Sequence, residues 1–156
     1  MNRQSLTRRL KLILLGIALC GLLCYTVLIP HLVRPCFSAD TTAFGIYLGY
    51  LCLSGIPCYL VLYHAHRIVR NIGLDRAFTE ENAVCLRKIS TLAALDAAYI
   101  FLGHLLLLPL GWGNGMLLLL ALVIVFVGVS VSVAAAALSH LVLRAAELQE
   151  QSDLTI

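Results

Sequence analysis

The sequence predicts an all-α integral membrane protein, a four-helix bundle with both termini in the cytoplasm. Three observations carry that expectation. The 156 residues are 61% hydrophobic and 12% charged, with a mean hydropathy of +0.95, whereas soluble domains run about 45–50% apolar and about 25% charged. The apolar residues form four blocks, each near the roughly 20 residues that cross about 30 Å of hydrocarbon. The Arg and Lys residues gather on one side of the four crossings, as cytoplasmic cations do.

The first span is expected over residues 11–29, ending at Pro30, whose ring and missing N–H oppose a continued helix. Arg3, Arg8, Arg9 and Lys11 precede it, in the manner of a signal peptide. The apolar run is longer than a signal core and lacks a small-residue cleavage site, so it reads as a retained anchor. The bulky Leu19 and Leu23 before Cys20 and Cys24 argue against lipoprotein processing. An outer loop with Arg34, Pro35, Cys36 and Asp40 follows.

The second span is expected over 44–63, with Pro57 kinking it, which membrane helices tolerate. A cytoplasmic connection, 64–88, carries Arg67, Arg70, Arg76, Arg87 and Lys88. Within it Gly73 ends one helix and Thr79 is a good N-cap for the next. Glu80 and Glu81 suit a first turn, and Ala83, Leu86 and Ile89 recur at helical spacing. The pattern predicts a short cytoplasmic amphipathic helix before the third span. That span is expected over 89–108, closed by Pro109 and the turn Gly111-Trp112-Gly113-Asn114-Gly115. The fourth covers 116–138, and a cytoplasmic tail, 139–156, holds Arg144. The cation split is ten inside against Arg34 outside. Gly45 with Gly49, the set Gly128, Ser132 and Ala136, and the set Gly16, Cys20 and Cys24 repeat the spacing that lets helix backbones approach. That spacing serves internal packing and homo-oligomer formation equally well.

Chemistry-bearing patterns are sparse. The six cysteines contain no C-x-x-C pair and read as small apolar packers. Asp96 is the acid inside a span, and His104 lies eight residues on, near the same face. An intramembrane acid is a candidate proton or cation relay; the plainer reading is a polar tie between helices. His64, His66 and His140 lack the convergence of three or four ligands that a metal needs. The chain has no H-E-x-x-H, G-x-S-x-G, P-loop or dinucleotide fingerprint. No enzyme activity and no cofactor is expected, nor direct nucleic-acid binding, since the cations form no surface patch separate from the membrane.

Two segments carry a resemblance. Phe78-Thr79-Glu80-Glu81-Asn82-Ala83 with Leu86-Arg87-Lys88-Ile89, and the closing Leu148-Gln149-Glu150-Gln151-Ser152-Asp153-Leu154-Thr155-Ile156, resemble the bacterial four-span membrane family called domain of unknown function 2975. Ser152 stands where that family is expected to have Asn. The resemblance implies a multi-pass protein of the bacterial plasma (inner) membrane without an assigned catalytic activity. It also implies a partner, a small helix-turn-helix DNA-binding regulator encoded alongside. Both segments fall on the cytoplasmic side of the predicted topology. Phe78, Glu80, Glu81, Asn82, Leu86, Arg87, Glu150, Asp153, Leu154 and Ile156 are therefore the candidate interaction surface. The alternative for these residues is a cap in which Arg87 or Lys88 meets Glu147 or Glu150. The expectation is a non-enzymatic regulatory or interaction protein in the lipid bilayer. The competing class is a small transporter or channel subunit using Asp96.

Overall fold

The computed structural model describes residues 3–37, 40–74, 76–112 and 115–154, with side chains described from residue 7 to residue 152. Its regular elements are helical, and no strand occurs among the described residues. Four stretches, Thr7–Phe37, Thr41–Gly73, Glu80–Leu110 and Gly115–Ser152, are long and apolar enough to cross a membrane. The chain is a multi-pass membrane protein.

The first crossing is composite. Helix α1 (Arg3–Leu23) passes into a π-helical turn, Cys24–Leu28, and then into α2 (Ile29–Val33) and a 3-10 turn, Arg34–Phe37. The expected stop at Pro30 does not occur. The amide of Ile29 bonds back to the Cys24 carbonyl, five residues away, so the helix widens just before the proline. Pro30 then sits in the opening turn of α2, where a missing N–H costs little. A π-turn inside a helix is rare and often marks a site of use.

Helix α3 (Thr41–Gly73) starts at Asp40, whose Oδ1 accepts the amides of Thr42 and Ala43, each at 3.0 Å. It carries Pro57 internally and ends where Gly73 was expected to end it. Helix α4 (Glu80–Leu107) is capped by Thr79, whose hydroxyl accepts the Asn82 amide at 3.4 Å, with Glu80 and Glu81 in the first turn. Residues 80–88 are the opening turns of this one helix, with no break before the membrane stretch. After a 3-10 turn, Leu108–Leu110, Gly111 adopts a left-handed φ of 74° that a side chain would disfavour. Helix α5 (Gly115–Leu154) has 40 residues, about 60 Å at 1.5 Å per residue.

Packing follows chain order, α1 on α3, α3 on α4 and α4 on α5, the last pair being the most extensive. The α4–α5 seam is built from small residues. A methyl at Gly128 would stand 3.1 Å from the Ala97 Cβ. The Ser90 and Ser132 hydroxyls meet at 3.2 Å, and the Ser139 hydroxyl donates to the Ala83 carbonyl at 2.8 Å. Of the small-residue pattern on α5, Gly128 and Ser132 are used here, while Ala136 points outward. An added Cβ at Gly45 or Gly49 meets no other atom within 4 Å among the described residues, so the pair forms no close helix seam there. The core cluster, Val33, Tyr47, Leu51, Ile100, Leu117 and Ala121, lies in the half of the bundle away from the termini. Leu12, Ile13, Leu15 and Leu19 on α1 and Leu119, Phe126 and Val133 on α5 are more than half exposed. In a bilayer those surfaces face acyl chains at no cost, because lipid is as apolar as leucine.

Candidate functional site

Asp96 sits on the α4 face turned towards α3 and is 9% exposed. Its Oδ2 accepts from the Cys58 thiol at 3.7 Å, and the Tyr25 hydroxyl donates to the Cys58 sulfur at 3.8 Å. Buried Ser54 lies beside both Asp96 and Tyr25. The polar line therefore runs through three crossings. Its geometry depends on two departures from regular helix: the π-turn that contains Tyr25 and the Pro57 turn beside Cys58. The Tyr25 ring lies over Gly55, 3.5 Å from where a Cβ would stand, which is van der Waals distance. The second oxygen, Asp96 Oδ1, is buried and has no partner.

His104 is 3% exposed, and its Nδ1 is 3.1 Å from the hydroxyl of Tyr47, itself 1% exposed. Its Nε2 is buried without a partner. Around this pair the rings of Phe37, Tyr47, Tyr50 and Tyr99 stack in sequence, with centroids 5.4, 5.6 and 5.2 Å apart. Tyr50 donates to the Ile100 carbonyl, and Tyr99 donates to the Tyr50 carbonyl at 3.0 Å. Asp96 and His104 share the buried face of α4, as their spacing predicts, but they are not joined. Eight residues of helix separate them by about 12 Å, and Ile100, fully buried, stands between. Each is instead a cross-helix tie to α3. No group of three or more metal-ligating side chains exists among the described residues.

We expect Asp96→Asn to keep membrane level and thermal unfolding close to wild type, since the amide retains size and a hydrogen-bonding oxygen. Asp96→Leu should lower stability by about 0.6–2 kcal/mol, the range for polar contacts between membrane helices. Unfolding in detergent reads both. A proton or cation flux in vesicles that Asp96→Asn abolishes would replace this structural role with transport.

The end of the bundle that holds both termini is closed by a different network. Asn82 is 1% exposed. Its Oδ1 accepts from Asn71 Nδ2 at 2.9 Å, and its own Nδ2 donates to the carbonyls of Arg76 and Ala77 at 2.8 and 2.9 Å. The amides of Leu74 and Arg76 both return to the Asn71 carbonyl at 3.0 Å. This network clamps the α3–α4 connection. Asn82 is therefore removed from the candidate contact surface, because its buried amide is spent on Asn71 and on the loop carbonyls of Arg76 and Ala77.

Its neighbours are presented outward. Phe78 is 57% exposed, Glu80, Arg87 and Glu150 are exposed, and Leu86 is half-buried. Glu81 is exposed and pairs with Arg67, 2.6 Å from Nη2 and 2.9 Å from Nε. The side chains of Asp153 and Leu154, and all of Ile156, lie outside the described residues. Tyr25, Tyr47, Cys58 and Asn71 were not singled out by the sequence. Their signal was weak, being ordinary residues in apolar or interfacial surroundings whose partners lie 11 to 57 positions away.

A family model described as "Protein of unknown function (DUF2975)" matches residues 6–156. No curated protein and no solved structure matches the chain.

Proposed function

Because the chain belongs to the family of proteins of unknown function termed DUF2975, we propose that it works without catalysis, as a multi-pass plasma-membrane protein of a bacterium. In this reading its cytoplasmic end, where both termini lie, docks a small helix-turn-helix regulator and withholds it from DNA. One observation carries the reading: α5 outruns the helix it packs on. Ser139 is level with Ala83, so the antiparallel register brings α4's first residue, Glu80, opposite Val142. Roughly a dozen residues of α5 then extend past α4, about 18 Å of helix beyond the bundle. Membrane crossing does not require that length. The projecting part is charged, yet Leu148 on it is 66% exposed, and Leu74 and Phe78 on the neighbouring connection are 65% and 57% exposed. Apolar side chains ringed by charges are what a protein partner would cover.

The test is affinity capture of a small helix-turn-helix regulator, sought first among the products of the neighbouring genes, using wild type, a chain lacking residues 151–156, Leu148→Asp and Glu80→Lys. We expect each change to reduce recovery, Leu148→Asp by about tenfold or more, as for an anchor residue at an interface. Glu81 is left intact, since reversing it would also break its pair with Arg67. Equal recovery from all four proteins would sink the docking role. Sidedness is read in the same strains with an impermeant maleimide at Glu147→Cys, because Cys85 is 2% exposed and stays unlabelled from either side.

A further inference from the structure

One face of α3 is continuous from mid-membrane to the terminal end. Cys52, Gly55, Ile56, Tyr59, Leu60 and Tyr63 line an open groove of about 550 Å³, with Tyr25 of the first crossing forming its other wall. Tyr63 also borders a second cleft, of about 300 Å³, whose other walls are His66, Arg67 and Arg70. These residues follow one another at helical three- and four-residue steps, so groove and cleft are one surface that changes from apolar to cationic at Tyr63. The wall is braced. Tyr59 donates to the Ala18 carbonyl of α1 at 3.0 Å, beside Gly21, and Tyr25 packs over Gly55.

We infer that this surface binds one anionic phospholipid, an acyl chain lying in the α1–α3 groove and the phosphate against His66, Arg67 and Arg70. Dimensions agree with that occupant. The apolar part, Cys52 to Tyr63, spans about 17 Å of helix, close to the roughly 15 Å of one leaflet's hydrocarbon. Tyr63, 62% exposed, stands at the change of polarity, where amphipathic rings favour the interface. The cations begin one turn farther on. Basic clefts between crossings at this level recognise acidic headgroups through charge. Arg67 is partly offset by Glu81 of α4, which leaves Arg70 to supply most of the charge attraction, with His66 beside it as a hydrogen-bonding group. A second copy of the chain suits the surface less. Two copies side by side about an axis along the membrane normal would set this cationic row against its own duplicate.

The experiment is native mass spectrometry of the protein released from vesicles of equal phosphatidylglycerol and phosphatidylcholine with matched chains. Wild type should retain phosphatidylglycerol about tenfold over phosphatidylcholine. Arg70→Gln should cut that preference about fivefold, the order of one surface cation, while Arg70→Lys keeps it. Leu60→Trp, which fills the groove and leaves the cations, should lower retention. If that variant does not accumulate, the Arg70 pair decides alone. Equal retention of the two lipids, or a preference that Arg70→Gln leaves unchanged, would overturn the site. Displacement of lipid by millimolar inorganic phosphate would show a headgroup contact without a seated chain, and would overturn it as well. So would a lipid-free dimer that Leu60→Trp separates.

Discussion

Gly103→Val should destabilise this protein by about 3 kcal/mol. A Cβ built at Gly103 runs into Cε2 of the Tyr50 ring and stands 2.9 Å from its Cζ and 3.1 Å from its hydroxyl. Real carbon atoms do not approach so closely, so the ring would have to leave. It has little room, being packed between Tyr47 and Tyr99 and tied by its hydroxyl to the Ile100 carbonyl. Overpacking of this kind costs about 1–3 kcal/mol, and the lost hydrogen bond adds about 1 kcal/mol. Gly103→Ala should cost less, because alanine's better helix propensity returns up to about 1 kcal/mol. Thermal unfolding in detergent gives the order wild type, alanine, valine. The Tyr50→Leu background should shrink the penalty of Gly103→Ala, a coupling expected between residues in contact. Wild-type stability of Gly103→Val would show that the Tyr50 ring lies elsewhere.

The second large effect is at Asn82. Asn82→Leu removes the acceptor for Asn71 and the donor for two loop carbonyls at a position only 1% exposed. The buried Asn71 amide left without its acceptor costs about 1–3 kcal/mol, and the two part-buried loop carbonyls each lose a hydrogen bond of about 1 kcal/mol, so about 3 kcal/mol is expected. The loss should be local before it is global. The α3–α4 connection should loosen, and trypsin should cut after exposed Arg76 at least tenfold faster than in wild type, that being the scale of even about 1.4 kcal/mol of local opening. Phe78→Ser and Glu80→Gln, at the same end of the bundle but pointing outward, should leave the cutting rate unchanged. An unaltered rate in Asn82→Leu would refute the clamp. The contrast also separates folding from docking, since only the outward pair should alter regulator recovery.

Hydropathy and local chemistry were enough to establish the four crossings, the end of α3 at Gly73, the Thr79 cap with its acidic first turn, and the burial of Asp96 and His104. Each of these depends on a residue and its near neighbours, or on a run of residues long enough to span lipid. Pro30 shows where local reasoning stops. Its chemistry forbids a regular helix, but a wider turn five residues long lets the chain continue. Beyond the face of α4 that carries Asp96 and His104 and the Gly128–Ser132 stripe of α5, the pairing of helix faces was not legible. In water a helix betrays its inner face by a stripe of apolar residues, because the outer face must be polar. Here lipid and protein interior are equally apolar, so the periodic signal is lost. Shape then decides which face packs. Gly128 meets α4 while Gly45 and Gly49 form no close seam among the described residues, Tyr50 needs Gly103, and Asn82 turns inward to Asn71 though its neighbours in sequence face out. Those choices depend on atoms brought together from distant positions, and only the folded chain holds them in one place.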